Sequence, residues 1–230
     1  MRTKIIFLFL LCFYSLNAQE KNVVFFNYKN YTVINSTTHS YISNLLFHNI
    51  KDSIFVYNDT IHEKYGWEIK SVNCYGNINR PKKVYIDVTN FKMPLKKHFY
   101  ISKKYGYNKK VKRMHYGIDL TCNLNDTIYA CWDGCVRVTG YNTGGYGYYV
   151  IVRHNNGLET LYAHLSKITV KNNQIISSND CVGLGGSTGR SSNPHLHFEI
   201  RFLGLPLNPQ KLIDFEEKNT HCEYFLYKKQ

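Results

Sequence analysis

The sequence predicts a mainly β fold built on antiparallel sheet. In the second half of the chain, short runs rich in β-branched and aromatic residues follow one another at close spacing. Turn-forming residues separate these runs, and no helical period of apolar residues continues for long. Closely spaced strands joined by tight turns are typical of antiparallel sheets, because parallel strands need longer crossover connections. We therefore expect one β-rich domain preceded by an extension.

Residues 1–18 are predicted to form a secretory signal peptide. Two basic residues, Arg2 and Lys4, precede an apolar run at 5–16 that is short for a membrane span. Cleavage is expected after Ala18, and the alternative is an uncleaved membrane anchor. The interpretation places the mature protein outside the cytoplasm, in the periplasm or the extracellular medium.

Residues 19–90 are predicted to be a β-rich or irregular N-terminal extension. The segment is rich in Asn, Tyr and Lys and has short strand-like runs at 22–28 and 53–57. It carries no recognisable chemical motif, so a regulatory role is the hypothesis left for it.

The predicted strands begin after Phe91, within a domain assigned to residues 91–215 and followed by a C-terminal tail at 216–230. These strands lie at 127–132, 135–141, 148–154, 158–164, 181–184 and 195–202. The turn signals between them are Asp133-Gly134, Thr143-Gly144-Gly145 and Asn155-Asn156-Gly157. Each signal predicts a hairpin between the runs on either side.

The chain is strongly basic, with 29 Lys and Arg residues against 16 Asp and Glu and a formal net charge of +13. Such a surface favours polyanions. In an exported protein these would be anionic polymers of the cell envelope rather than nucleic acid, because no zinc-finger spacing or aromatic–basic RNA-binding motif is present.

Six cysteines remain after the predicted cleavage. An even number in an exported chain predicts up to three disulfides, and the sequence does not assign their pairing. The spacing Cys131-x-x-x-Cys135 could also be half of a zinc site, but Asp133-Gly134 between them favours a turn and no second cysteine pair has ligand spacing. The six residues are Cys74, Cys122, Cys131, Cys135, Cys181 and Cys222.

The last predicted strand carries the chemistry. Alternate residues of a strand face opposite sides, so His195, His197 and Glu199 share one face while the apolar residues between them face the core. The two imidazoles would lie about 7 Å apart along the strand. A polar strand face is often only solvated surface, and the pair alone is a weak metal signal.

His115 and Asp119 supply the remaining candidate ligands. Gly117 between them, with its apolar neighbours, favours an extended or turning segment in which the backbone curls to bring both side chains to one ion. A hydrogen-bonded His–Asp pair in a loop is the alternative. With one of the two strand histidines, these residues make the two-imidazole, one-carboxylate set of a catalytic zinc site, and the other strand histidine and His164 are left to handle protons.

In combination these motifs resemble the lysostaphin-type, or LytM-like, zinc metallopeptidases of bacterial cell walls. The resemblance covers about residues 91–215, and its blocks fall in the family's order. The blocks are RMHYGIDL, DTIYACWDGCVRVTGY, GYGYYVIVRHNNGLETLYAHLS and VGLGGSTGRSSNPHLHFEIR. The resemblance implies the fold of that family, with an antiparallel β-sheet core.

The resemblance also implies residue roles. His115, Asp119 and His197 would bind Zn²⁺, and His164 and His195 would act as catalytic residues on the attacking water and the developing oxyanion. No departure from the family pattern touches these five positions, although Asn173 and Asn179 replace turn glycines; asparagine tolerates positive φ better than most residues. The run Gly185–Arg190 is interpreted as a loop beside the active groove rather than a phosphate loop.

The implied function is that of a zinc-dependent metalloendopeptidase, acting as a monomer on peptide stems or cross-links of bacterial peptidoglycan. Two alternatives remain open. One is a non-catalytic module of the same fold that binds peptidoglycan or activates an amidase, and the other is a peptidase for a protein outside the wall. Inhibition of the site by residues 19–90 is a further hypothesis.

Overall fold

The computed structural model describes residues 25–27, 30–32, 69–75 and 80–229. The predicted signal peptide, the predicted strand run at 53–57 and most of the predicted extension lie outside these residues. The strands are β1 (Phe25–Asn27), β2 (Asn30–Thr32), β3 (Lys83–Asp87), β4 (Ile101–Lys103), β5 (Gly106–Asn108), β6 (Arg113–His115), β7 (Ile118–Thr121), β8 (Thr127–Tyr129), β9 (Gly134–Asn142), β10 (Gly147–His154), β11 (Leu158–Leu165), β12 (Lys167–Ile168), β13 (Ile175–Ile176), β14 (Cys181–Leu184), β15 (His195–Phe202), β16 (Leu205–Leu207), β17 (Ile213–Asp214), β18 (Asn219–Thr220) and β19 (Tyr224–Lys228). A single-turn 3₁₀ helix spans Pro209–Lys211.

The described residues fall into two compact units. In the first, β1 pairs with β2 and β3 pairs with β19. In the second, an antiparallel sheet has the strand order β13-β9-β10-β11-β15-β7-β4, with β16 added beside β15. A three-stranded sheet, β12-β14-β8, and the pairs β5-β6 and β17-β18 complete this unit. The predicted antiparallel β fold is confirmed, and no helix in the described part of the chain has the length and apolar character of a membrane span.

Two of the three predicted hairpins are confirmed. Strand β9 pairs with β10 across residues 143–146, and β10 pairs with β11 across residues 155–157. The prediction for Asp133-Gly134 is wrong, because β8 and β9 belong to different sheets and the turn passes the chain between them. Asn173 and Asn179 adopt φ values of 66° and 74°, as expected for asparagines in place of turn glycines.

The two central strands of the large sheet, β11 and β15, are almost completely buried. All eight residues of β11 are buried, and so are seven of the eight in β15 beside it. Core residues such as Leu161 and Phe198 are 0% exposed. Burying one such side chain stabilises the fold by roughly 1.5–3 kcal/mol. The packing of β11 and β15 therefore holds in place the histidines that these strands carry, His164, His195 and His197.

A buried ion network secures an upstream segment to the same unit. The Glu159 carboxylate accepts hydrogen bonds from Arg137 and Arg153, with Nε–Oε1 distances of 2.6 and 3.0 Å. The guanidinium of Arg137 also donates to the carbonyl oxygens of Ser71 and Val72, both at 2.9 Å. The buried charges of Arg137, Arg153 and Glu159 thus have hydrogen-bond partners within the protein. A buried ion pair is tolerated only when its charged groups are paired and hydrogen-bonded in this way.

The six cysteines of the described chain are free thiols, so the expectation of up to three disulfides is not met. Cys131 is fully buried, and burial raises the pKa of its thiol. The Cys131–Cys135 spacing also forms no zinc site: among the described residues, the cluster with metal-binding geometry consists of His115, Asp119 and His197.

Candidate metal centre

The sheet register brings Asp119 and His197 together. Strand β7 pairs with β15 so that Asp119 lies directly opposite His197. Directly opposed residues of an antiparallel pair share one face, with their Cβ atoms about 5 Å apart. The Asp119 Oδ1 atom lies 2.9 Å from His197 Nδ1, and both residues are buried.

His115 reaches the same point from the end of β6. Tyr116 and Gly117 connect β6 to β7, as the sequence predicts for an extended or turning segment. The reason for the glycine differs from the expectation. A Cβ atom at Gly117 would lie 2.3 Å from the Phe198 carbonyl oxygen, so the position is occupied by glycine because the connection passes tightly against β15.

Three ligand-type atoms converge in this way. His115 Nε2 lies 3.0 Å from Asp119 Oδ1 and 3.0 Å from His197 Nδ1. Ligands bound tetrahedrally to zinc at about 2.0–2.1 Å are separated by about 3.3 Å. The observed triangle is therefore close to one face of such a tetrahedron, and its donor set suits Zn²⁺.

Hydrogen bonds on the outer side of each ring fix which nitrogen faces inward. His115 Nδ1 lies 2.8 Å from the Lys104 carbonyl oxygen, which can only accept a hydrogen bond. His197 Nε2 lies 2.9 Å from Glu199 Oε1. An imidazole that holds a single proton would therefore carry it on the outer nitrogen, which leaves a lone pair on the inward nitrogen beside the Asp119 carboxylate. Outer partners of this kind orient the histidine ligands of protein metal sites.

The convergent lone pairs need a positive charge among them. Burial opposes protonation of His197, but hydrogen bonds to Asp119 and Glu199 outweigh it and raise the pKa of His197 to about 9. Burial likewise tends to raise the pKa of Asp119, but its hydrogen bonds with His115 and His197 hold that pKa well below the ordinary range. A proton on His197 supplies the charge, and a divalent cation would satisfy all three inward atoms at once.

Glu199 is itself tightly held. Its Oε1 atom accepts a hydrogen bond from the Tyr146 hydroxyl at 2.8 Å, and its Oε2 atom accepts from Arg201 Nε at 2.6 Å. Burial tends to raise the pKa of Glu199, and its hydrogen bonds and the Arg201 charge lower it overall. The carboxylate is thus available as the acceptor for His197.

His164 enters the site through an irregularity in β11. Ala163 lies opposite His197, so regular alternation would place His164 on the other face. Its φ of 62° interrupts that alternation, and its ring lies 4.7 Å from the ring of His195. Positive φ is uncommon for residues other than glycine, although histidine adopts it more readily than most, and residues held in this region often occur at functional sites. Burial lowers the pKa of His164 to about 4, so the imidazole is neutral near pH 7.

His164 and His195 also have fixed outer nitrogens. His164 Nδ1 lies 2.8 Å from the Thr188 carbonyl oxygen, and His195 Nδ1 lies 2.8 Å from the Asn193 carbonyl oxygen. Their Nε2 atoms are left for the interior, where His195 Nε2 lies 3.6 Å from Asp119 Oδ2. The loop at 185–190 supplies the Thr188 carbonyl and therefore borders the site, as expected from the sequence.

All five predicted site residues are brought to one place. The residues that hold them were not predicted from the sequence; they are chiefly Tyr146, Thr188 and the backbone carbonyl of Lys104. Lys103, whose Nζ atom lies 3.2 Å from Asp119 Oδ2, was not predicted either. For Glu199 a signal was available, because strand alternation places it on the face of His197.

Comparison with known proteins gives a family for this region. Residues 113–209 match the sequence model of Peptidase family M23. The match begins at the first residue of β6 and ends in the 3₁₀ helix, so it includes the convergent triangle and both further histidines.

Curated relatives align with the same part of the chain. The DD-carboxypeptidase/endopeptidase Mpg of Neisseria meningitidis is 42% identical over 113 residues, which are 47% of this chain and 26% of that protein. The peptidoglycan DD-endopeptidase ShyA of Vibrio cholerae is 41% identical over 97 residues, 42% of this chain and 22% of the relative. The chain thus spans about a quarter of the length of these relatives. A solved zinc-containing peptidase from Vibrio cholerae superposes with a TM-score of 0.50 and 30% identity, over 54% of this chain and 40% of that one.

Proposed function

Since residues 113–209 form a domain of peptidase family M23, we propose that the protein is a zinc-dependent endopeptidase. Its substrates are the peptide stems or cross-links of bacterial peptidoglycan. His115, Asp119 and His197 hold the metal, and His164 and His195 are the catalytic residues. The predicted export signal agrees with a substrate outside the cytoplasm.

The observation that carries the proposal is that all four imidazoles have an oxygen acceptor at the outer nitrogen. The outer nitrogens of His115, His164, His195 and His197 lie against oxygen acceptors at 2.8–2.9 Å. When each ring holds only its outer proton, four inward nitrogens are available as ligands or bases around a single carboxylate. A structural histidine cluster would have no need to direct so many lone pairs into one space.

Zinc held by the triangle would lower the pKa of a water molecule and polarise the scissile carbonyl. The two remaining histidines do the proton chemistry. A neutral imidazole accepts the proton of the attacking water through its inward Nε2. Once protonated, an imidazole at this place donates a hydrogen bond to the tetrahedral oxyanion and then a proton to the leaving amine. The Thr188 and Asn193 carbonyl oxygens hold both rings in the required tautomer.

The test is mass spectrometry of purified sacculi after digestion with the zinc-loaded protein, residues 19–230. We expect new amino and carboxyl termini within the peptide portion, lost on chelation and restored by zinc. His115→Ala and His197→Ala should lose both zinc and cleavage. Full cleavage by either variant would contradict the ligand assignment.

Stoichiometric zinc binding without cleavage of sacculi or of soluble cross-linked peptides would favour the non-catalytic binding module instead. Cleavage that appears only after removal of residues 19–68 would support inhibition by the extension. Cleavage of a peptide library without cleavage of wall peptides would indicate a substrate outside the wall.

A further inference from the structure

The segment that leads into the metal centre is unusually rich in positive charge. Between Asp87 and Asp119 the sequence has nine Lys and Arg residues and no Asp or Glu. Six of these cations lie within residues 103–113, which we call the basic hairpin, and all six are exposed. They are Lys103, Lys104, Lys109, Lys110, Lys112 and Arg113.

The basic hairpin is an ordered turn. Strands β5 and β6 pair from Gly106↔His115 to Asn108↔Arg113. At its tip the Asn108 side chain accepts hydrogen bonds from the backbone N–H groups of Lys110 and Val111, at 3.0 and 3.3 Å. Lys112 has a φ of 48°, a conformation that glycine or asparagine adopts at lower cost. A charged residue thus occupies a position where the backbone conformation favours glycine or asparagine.

These charges have little internal compensation. Within the described part of the chain, Lys103 is the member of the hairpin set with a carboxylate in ion-pair range, that of Asp119. Like charges this close in sequence repel one another, so the arrangement favours an external anion. Because the cluster is exposed, its attraction for anions depends on ionic strength.

The position of the hairpin identifies the anion as part of the substrate. Its base is joined to the metal centre, since His115 ends β6 and donates a hydrogen bond to the Lys104 carbonyl oxygen. The Lys103 ammonium contacts a proposed metal ligand directly. Strands rise about 3.3 Å per residue, so the cations of the basic hairpin extend away from the metal centre over roughly the length of a four- or five-residue extended peptide.

We propose that the basic hairpin recognises carboxylates on the substrate peptide within a few residues of the scissile bond, and so selects acidic over amidated peptides. The inference rests on the proposed peptidase function and adds a substrate class to it. An anchor for a separate anionic polymer is the competing interpretation, and it is less consistent with direct contact between Lys103 and the site.

The test compares a soluble cross-linked stem-peptide dimer that has free carboxylates with the same dimer converted to carboxamides. The variant Lys109→Gln/Lys110→Gln/Lys112→Gln removes three charges from the tip and leaves every proposed metal ligand in place. Its matched control, Lys167→Gln/Lys171→Gln/Lys211→Gln, removes three exposed charges outside the hairpin. Steady-state kcat and KM are measured for each protein on each dimer.

We expect the native protein to prefer the carboxylate dimer. The hairpin variant should raise KM for that dimer roughly fivefold or more, with kcat retained and the amidated dimer little affected, because surface charge contacts are individually weak but add over several pairs. The control variant should resemble the native protein. Raising the salt from about 0.05 M to about 0.5 M should reduce the native preference in the same way.

Equal KM values for the hairpin variant and the native protein would overturn the proposal. Reduced binding of the variant to whole sacculi, with unchanged KM on both dimers, would overturn it in favour of a polymer anchor. If neither the native protein nor its variant without residues 19–68 cleaves either dimer, the peptidase proposal fails separately. Fluorescence anisotropy of both labelled dimers then decides the inference: carboxylate-dependent binding that the variant loses supports it, and its absence overturns it.

Discussion

Replacement of Glu199 by Gln should weaken zinc binding although Glu199 is not itself a proposed ligand. The carboxylate accepts hydrogen bonds from His197 and Tyr146 on one oxygen and from Arg201 on the other. A glutamine of the same shape has one acceptor oxygen and one donor NH₂ group, so it cannot serve both sides.

Both orientations of the amide are unfavourable. With its oxygen toward Arg201, the NH₂ group faces His197 Nε2 and favours the tautomer that carries a proton on Nδ1, where the metal should bind. With its oxygen toward His197, the NH₂ group opposes a buried guanidinium. Loss of an outer partner of a metal ligand typically costs 10–100-fold in affinity, or about 1.4–2.7 kcal/mol. Breaking a buried ion pair costs roughly 3–5 kcal/mol of unfolding free energy.

Zinc affinity is measured by competition with a chromophoric chelator, and unfolding free energy by denaturant titration with excess chelator. Glu159→Gln is the matched control, because Glu159 is also fully buried and accepts hydrogen bonds from two arginines and Tyr75. It should lose comparable stability and keep its zinc affinity. Native zinc affinity in Glu199→Gln, or an equal loss in both variants, would refute the tautomer argument.

Three further predictions test other parts of the structure. His164→Ala and His195→Ala should each retain stoichiometric zinc, measured by atomic absorption, and lose about 10²–10⁴-fold in kcat; loss of zinc would instead make these residues ligands. Burial lowers the pKa of His154 to about 4, so the unfolded state takes up the proton first as the pH falls. The contribution of His154 to stability is complete above about pH 6.5 and should fall by about 2 kcal/mol by pH 5; denaturant titrations at both pH values should show a smaller fall in His154→Gln, and an identical fall would contradict the assignment. Gly117→Ala should cost at least about 1–3 kcal/mol of unfolding free energy, because its Cβ would meet the Phe198 carbonyl. Gly144→Ala, where the nearest atom is 3.9 Å away, should unfold almost as the native protein does.

Local sequence pattern was sufficient for the antiparallel fold, whereas the grouping of the five site residues rested on the resemblance to a known family. Alternation along 195–202 placed His197 and Glu199 on one face, and the structure has both there. The turn at Asp133-Gly134 shows where local reasoning failed. A turn signal reports that the chain reverses or bends, and it does not report which strand the next residues pair with. That choice is made by long-range packing, which here sends β8 and β9 to different sheets.

The chemical state of the site depends on contacts that no motif contains. The proton of His115 is directed outward by the carbonyl of Lys104, and that of His164 by the carbonyl of Thr188, 24 residues along the chain. Every residue type has a backbone carbonyl, so neither of these two hydrogen bonds could be predicted from the identity of Lys104 or Thr188. His164 reaches the site only through a backbone angle that strand alternation would not predict. A histidine motif can therefore identify which side chains meet, whereas their ability to bind a cation and accept protons follows from backbone atoms that tertiary folding brings to the outer side of each ring.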